Sequence, residues 1–162
     1  MSQFPIDPDG AHGPVPSGSL PLLEDRGDPA HASDTITESG DVRVRVHVQP
    51  YYVDHASDPS ERQYVFAYRV RITNEGNTTV QLLTRHWVFT DADGHPHEVR
   101  GEGVVGRQPR LHPGEGFTYE SFVPMSTKWG TMEGRFHFEI GEGPETGAPV
   151  EVRIDRCYLV AA

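Results

Sequence analysis

Cysteine, basic residues, long apolar runs and helical periodicity are all scarce in this 162-residue chain, and each scarcity removes a class of function. Fourteen Lys and Arg face 24 Asp and Glu, a net charge of −10 with histidine neutral. Binding of DNA or RNA through their phosphates is therefore disfavoured, because a polyanion calls for a basic surface. The single cysteine, Cys157, permits neither an intramolecular disulfide nor a cysteine-based zinc finger. No apolar stretch approaches the ~18 residues that a membrane-spanning helix requires. The opening MSQFPIDPDG has neither the basic start nor the apolar stretch of a secretory signal. The expectation is an acidic, soluble, cytoplasmic protein with no nucleic-acid partner and no membrane span.

The acidity is unevenly placed. Residues 1–40 hold seven of the acids but one base, Arg26, together with six of the 14 prolines and five of the 17 glycines. Their apolar residues follow neither a helical nor a strand period, and Leu20, Leu22 and Leu23 form the only cluster. Such a segment buries too little apolar surface to offset the entropy of ordering it, which predicts a disordered leader over 1–40 and a folded domain over 41–162.

From Asp41 the pattern changes. Val42, Val44, Val46 and Val48 alternate with Arg43, Arg45, His47 and Gln49, the period of a half-buried strand. Tyr64–Ile72 repeats it, with Phe66, Tyr68, Val70 and Ile72 on one face. Further strands are predicted at Val80–Phe89, His95–Val99, Phe117–Val123, Met132–Ile140 and Val150–Leu159, separated by turn residues such as Asn74–Asn77, Asp93-Gly94 and Pro113-Gly114. Seven short strands at about ten-residue spacing, with no helix to cross between parallel neighbours, predict an all-β fold: a seven-stranded antiparallel β-sandwich of immunoglobulin or fibronectin type III kind.

Several stretches in order resemble the ApaG family: Tyr64–Tyr68, Val80–Leu83 with Arg85 and Trp87, Gly101–Gly106 with Gln108-Pro109, Leu111 with Pro113-Gly114, Tyr119 with Ser121, and Thr127 with Gly130, Met132 and Gly134. The resemblance covers roughly residues 42–160, with Phe122, Lys128, Phe136 and Cys157 departing from the usual residues. It implies a fibronectin type III-like sandwich, a link to cobalt tolerance and magnesium efflux, and no assigned reaction.

Gly101-Glu-Gly-Val-Val-Gly106 satisfies the dinucleotide-binding pattern G-x-G-x-x-G, yet Pro109 and Pro113 follow where that motif needs a helix. Two readings of the glycines stay open: loop geometry, or an anion site built from loop N–H groups with Arg100, Arg107 and Arg110. On the second reading the ligand-binding residues are Arg100, Gly101, Gly103, Gly106, Arg107 and Arg110. Asp91, Asp93 and Glu102 mimic a calcium loop, but Pro96 stands where its sharp bend requires Gly, so a hairpin tip is expected. His86, His95 and His97 suggest a soft transition-metal site only if the hairpin brings them together. Cys157 alternates with Leu159 as a small buried hydrophobe does, and no G-x-S-x-G elbow is present.

The expectation is a non-enzymatic binding module that needs no cofactor and takes a phosphorylated or pyrophosphate-type ligand or a protein partner, with a homodimer left open. The alternatives are a nucleotide-pyrophosphate hydrolase using Glu98 and Glu102, and a direct metal carrier.

Overall fold

The computed structural model describes residues 26–161, so the leucine cluster of residues 20–23 lies outside the described residues. The described residues form nine strands: β1 (Ser33–Ser39), β2 (Val42–Tyr52), β3 (Tyr64–Asn74), β4 (Val80–Asp91), β5 (Pro96–Glu102), β6 (Arg110–Leu111), β7 (Gly116–Met125), β8 (Trp129–Ile140) and β9 (Pro149–Val160). They form two antiparallel sheets, one ordered β1-β2-β3-β7 and the other β5-β4-β8-β9 with β6 added against β4. The fold is all-β, as the alternation predicts, with two strands more than the seven expected. Among the described residues no helix is long and apolar enough to cross a membrane.

The core is filled by the inward faces that the sequence marks. Val42, Val44, Val46 and Val48 are buried beside Phe66, Tyr68, Val70 and Ile72. Trp87 sits at the centre, with Tyr68 at 5.7 Å and Phe136 at 5.8 Å in edge-on contacts. Such pairs add to the area they bury, because the positive ring edge meets the negative face.

The domain boundary is corrected. Ser33–Ser39, assigned above to a disordered leader, is strand β1, paired with β2 along its whole length. Its inward side chains include Ser33 and Thr35, which are buried but polar. A hydrophobic pattern cannot reveal a strand of that kind. The Thr35 and Thr37 hydroxyls accept hydrogen bonds from the Asp155 and Arg153 amides of β9, at 2.8 and 3.1 Å. β1 thereby covers backbone donors along β9, at the edge of the five-stranded sheet, and closes the seam between the layers.

Two register shifts decide what faces outward. One, between Leu82 and Thr84, lets Leu82 and then Arg85, Trp87 and Phe89 point inward while His86 points outward. The other, between Met132 and Gly134 on β8 and Cys157 and Ile154 on β9, keeps both Ile154 and Cys157 in the core.

Candidate functional site

The glycine motif lies where β5 ends and the chain returns to β4. Gly101 stands opposite Arg85, whose buried guanidinium donates to the Glu102 and Gly103 carbonyls at 2.9 and 3.0 Å. A Cβ on Gly101 would lie 2.6 Å from that guanidinium, so the glycine makes room for it. Gly103 has φ +63°, and a Cβ there would lie 2.2 Å from the Arg107 carbonyl oxygen. Val104 and Arg107 exchange hydrogen bonds at 2.8 and 2.9 Å around Val105 and Gly106, which have φ +44° and +79°. Two left-handed central residues are the signature of a tight primed hairpin turn. Gly106 suits that geometry; Val105, β-branched, does not.

The motif's backbone is therefore largely engaged. The Gly103 amide donates to the Leu83 carbonyl at 2.8 Å, and the Val104 and Arg107 amides close the turn. Among the described residues the Val105 and Gly106 amides have no acceptor within the turn.

The three arginines do not converge. Arg100 is on β5 in register with His86, and it joins a depression of about 620 Å³ that includes Arg85, Arg135 and Glu151. Arg107 and Arg110 share a separate one of about 560 Å³ with Pro109, Leu111, Glu115 and Phe117. Arg110 donates to the Gly141 carbonyl at 2.6 Å, whereas Arg107 forms no ion pair among the described residues. Glu115, the only acid among the described residues lining this depression, is occupied by the His112 amide and ring at 2.8 and 2.9 Å, which holds its carboxyl below the usual carboxylate range.

His86, His95 and His97 are likewise kept apart. His86 faces outward, with Nε2 2.7 Å from Glu98 Oε1 and Nδ1 accepting from Arg135 Nε at 3.3 Å. Arginine only donates, so Nδ1 is the acceptor and Nε2 carries the hydrogen. His97 pairs in register with Phe89 on the adjacent hairpin position, and His95 lies beside Asp91 at 3.6 Å. Asp91, Asp93 and His95 do cluster at the hairpin tip. However, Asp91 Oδ1 accepts from the Asp93 and His95 amides at 2.9 and 3.0 Å, the work of a turn.

Of the two carboxyls weighed as an acid pair, Glu98 is held below the ordinary carboxylate range by its hydrogen bonds to His86 and Arg100. Cys157 is fully buried, and burial pushes its thiol up to about 12, which suits a packing residue and not a nucleophile. Two features escaped sequence reasoning. One is the Glu98–His86–Arg135 chain, which depends on the parity change in β4. The other is Glu120 on β7, a carboxyl with 1% exposure that burial pushes upward, 3.5 Å from the Tyr51 hydroxyl.

An ApaG-domain family profile matches residues 54–140, which is more than half of the chain. The chain belongs to the ApaG family. Protein ApaG of Bordetella pertussis is 53% identical over 116 residues, spanning 72% of this chain and 86% of that protein. Protein ApaG of Brucella abortus is 46% identical over 111 residues, 68% of this chain and 82% of its own length. Among solved structures, the ApaA protein of Bordetella pertussis superposes with a TM-score of 0.69 at 49% identity, covering 74% of this chain and 94% of that one. A structural-genomics target, SoR45, gives 0.67 at 32% identity over 77% and 90%. These names carry no reaction, and the ApaG match includes the whole Gly101–Gly106 loop and both of its flanking strands.

Proposed function

We propose that this ApaG domain is a non-enzymatic, cytoplasmic binding module that takes a phosphorylated or pyrophosphate-type ligand at the Arg107–Arg110 depression and acts in Co²⁺ and Mg²⁺ homeostasis. The ion-homeostasis role rests on the family resemblance. The ligand class rests on one observation: Arg107 and Arg110 line the same open depression beside Phe117, and its one acid is already occupied by His112. Guanidinium forks match phosphate oxygens, and an aromatic wall accepts the organic part of a ligand. The Val105 and Gly106 amides stand next to Arg107 in the chain and add candidate donors; Gly101 and Gly103 shape the loop, and Arg100 lines the other depression.

Open, charge-assisted contacts of this number support a Kd on the order of 0.1–1 mM, weakened by salt. An amide-resonance titration with pyrophosphate tests it, expected to move Val105, Gly106 and Arg107 at low salt. Arg107→Ala with Arg110→Ala should remove the effect and leave the fold intact. Nucleotides and diadenosine polyphosphates with Mg²⁺ or Co²⁺ should remain unhydrolysed; metal-dependent turnover lost in Glu102→Gln would replace this reading with a hydrolase.

A further inference from the structure

The outward face of the five-stranded sheet holds a second polar site, distinct in its residues from the Arg107–Arg110 depression. At its centre is His86, whose side chain keeps only 7% of its surface exposed. Glu98 of β5 holds Nε2 from one side, and Arg135 of β8 donates to Nδ1 from the other. An imidazole bonded at both nitrogens has a fixed orientation and a fixed tautomer.

Arg135 is the less ordinary partner. Its Nε is given to a neutral ring, while the Glu151 carboxylate stands 3.9 Å away, beyond hydrogen-bond reach. Its two terminal amino groups form no hydrogen bond among the described residues, and its side chain is 44% exposed. Arg100 approaches from β5, 70% exposed and held only at 3.4 Å by Glu98. Both arginines open on the depression of about 620 Å³, a volume suited to a small molecule.

We propose that this depression binds a small free oxyanion, with Arg100 and Arg135 supplying the guanidinium donors and His86 acting as the positioning residue that aims Arg135. A guanidinium held through Nε presents its two terminal amino groups outward, matched to carboxylate or phosphate oxygens. Holding it in advance lowers the rotamer entropy lost when ligand binds. Glu102 and Glu151 line the same depression as built-in competitors, and Glu151, 3.9 Å from Arg135 Nε, is close enough to balance its charge and too far to hold it by a hydrogen bond.

The test follows the His86 ring nitrogens and the Arg135 Nε–H by heteronuclear resonance while inorganic phosphate and, separately, malonate are added at low salt. Either anion should move both signals, with a Kd on the order of 0.1–1 mM. A response to phosphate alone assigns a phosphate ligand, to malonate alone a carboxylate, and to both the shared chemistry. Arg135→Lys keeps the charge but loses the planar fork, and it should weaken binding roughly tenfold. Arg100→Gln, at an exposed side chain that the fold does not need, should weaken binding in the same direction. His86→Gln should loosen the Arg135 Nε–H signal and reduce affinity while the charge of both arginines remains. The Arg107→Ala, Arg110→Ala pair should leave this binding unchanged, which separates it from the loop reading. Unmoved His86 and Arg135 signals with both anions, or undiminished binding in Arg135→Lys and Arg100→Gln, would overturn the proposal.

Discussion

The outward faces of the two sheets carry similar residues in different states. On the four-stranded sheet, Arg45 reaches Glu75 at 2.7 Å and Asp34 at 2.5 Å, and Arg43 reaches Glu38 at 2.9 Å and Glu75 at 3.3 Å. This ladder is closed, each guanidinium bridging two carboxylates. On the five-stranded sheet, Arg100 meets Glu98 at 3.4 Å, Arg135 meets Glu151 at 3.9 Å, and a histidine takes the hydrogen bond that a carboxylate would otherwise take. Composition does not distinguish the two faces. What separates them is whether the donors are already satisfied: Arg43 and Arg45 are spent on carboxylates, whereas Arg100 and Arg135 keep donors for a ligand.

Breaking the support beneath the second face should have the largest effect. Phe136 is fully buried against Trp87, and Phe136→Ala should cost about 3–5 kcal/mol, read from chemical denaturation. Near-parental stability would mean that the five-stranded sheet does not rest on this aromatic cluster. Removing residues 1–38 takes away β1 and uncovers the Arg153 and Asp155 amides of β9. The melting temperature should fall by more than the ~2–4 °C that about 1 kcal/mol gives in a chain of this size. An unchanged melting temperature would show that β1 contributes nothing to the seam.

Val105→Asn should act in the opposite direction. A β-branched residue in the left-handed region is strained by ~1–2 kcal/mol, and Asn tolerates that position of a primed turn. Because Val105 also packs in part against the core, a net gain of about 1 kcal/mol or less is expected. Loss of stability would show that its packing outweighs the strain.

The smallest effects are in pH. The hydrogen bond from Arg45 holds Glu75 below the ordinary carboxylate value; burial opposes it, and the Arg43 hydrogen bond adds to it. Its contribution is present above the unfolded-state pKa and is lost as the pH falls through the lower folded value. Burial raises Glu120, so the sign reverses: its contribution is greatest at low pH and declines as the pH rises from the unfolded value to the folded one. Glu75→Gln should flatten the acid limb of the stability profile, and Glu120→Gln the limb just above it. Matching profiles for both variants would show that the two carboxyls do not differ as their surroundings require.

The alternation of apolar residues determined the all-β class, the seven apolar strands and most of the core, including the burial of Phe136 and Cys157. A period of two is a local property, and sheet packing only has to accept it. The family was legible for a related reason, since glycines that a backbone demands recur at set spacings: Gly101 beside Arg85, Gly103 against a carbonyl, and Gly106 in a primed turn. Tertiary structure decided the rest. β1 is held by backbone pairing and threonine hydroxyls, which leave no apolar trace in its sequence. The shift in β4 reverses the parity after Leu82, turning Trp87 inward and His86 outward. Arg100 and Arg107, seven positions apart in the chain, open on different depressions because a tight turn and the edge of a sheet lie between them. Proximity along the chain sets which groups are available; hydrogen-bond registers between strands set which of them meet.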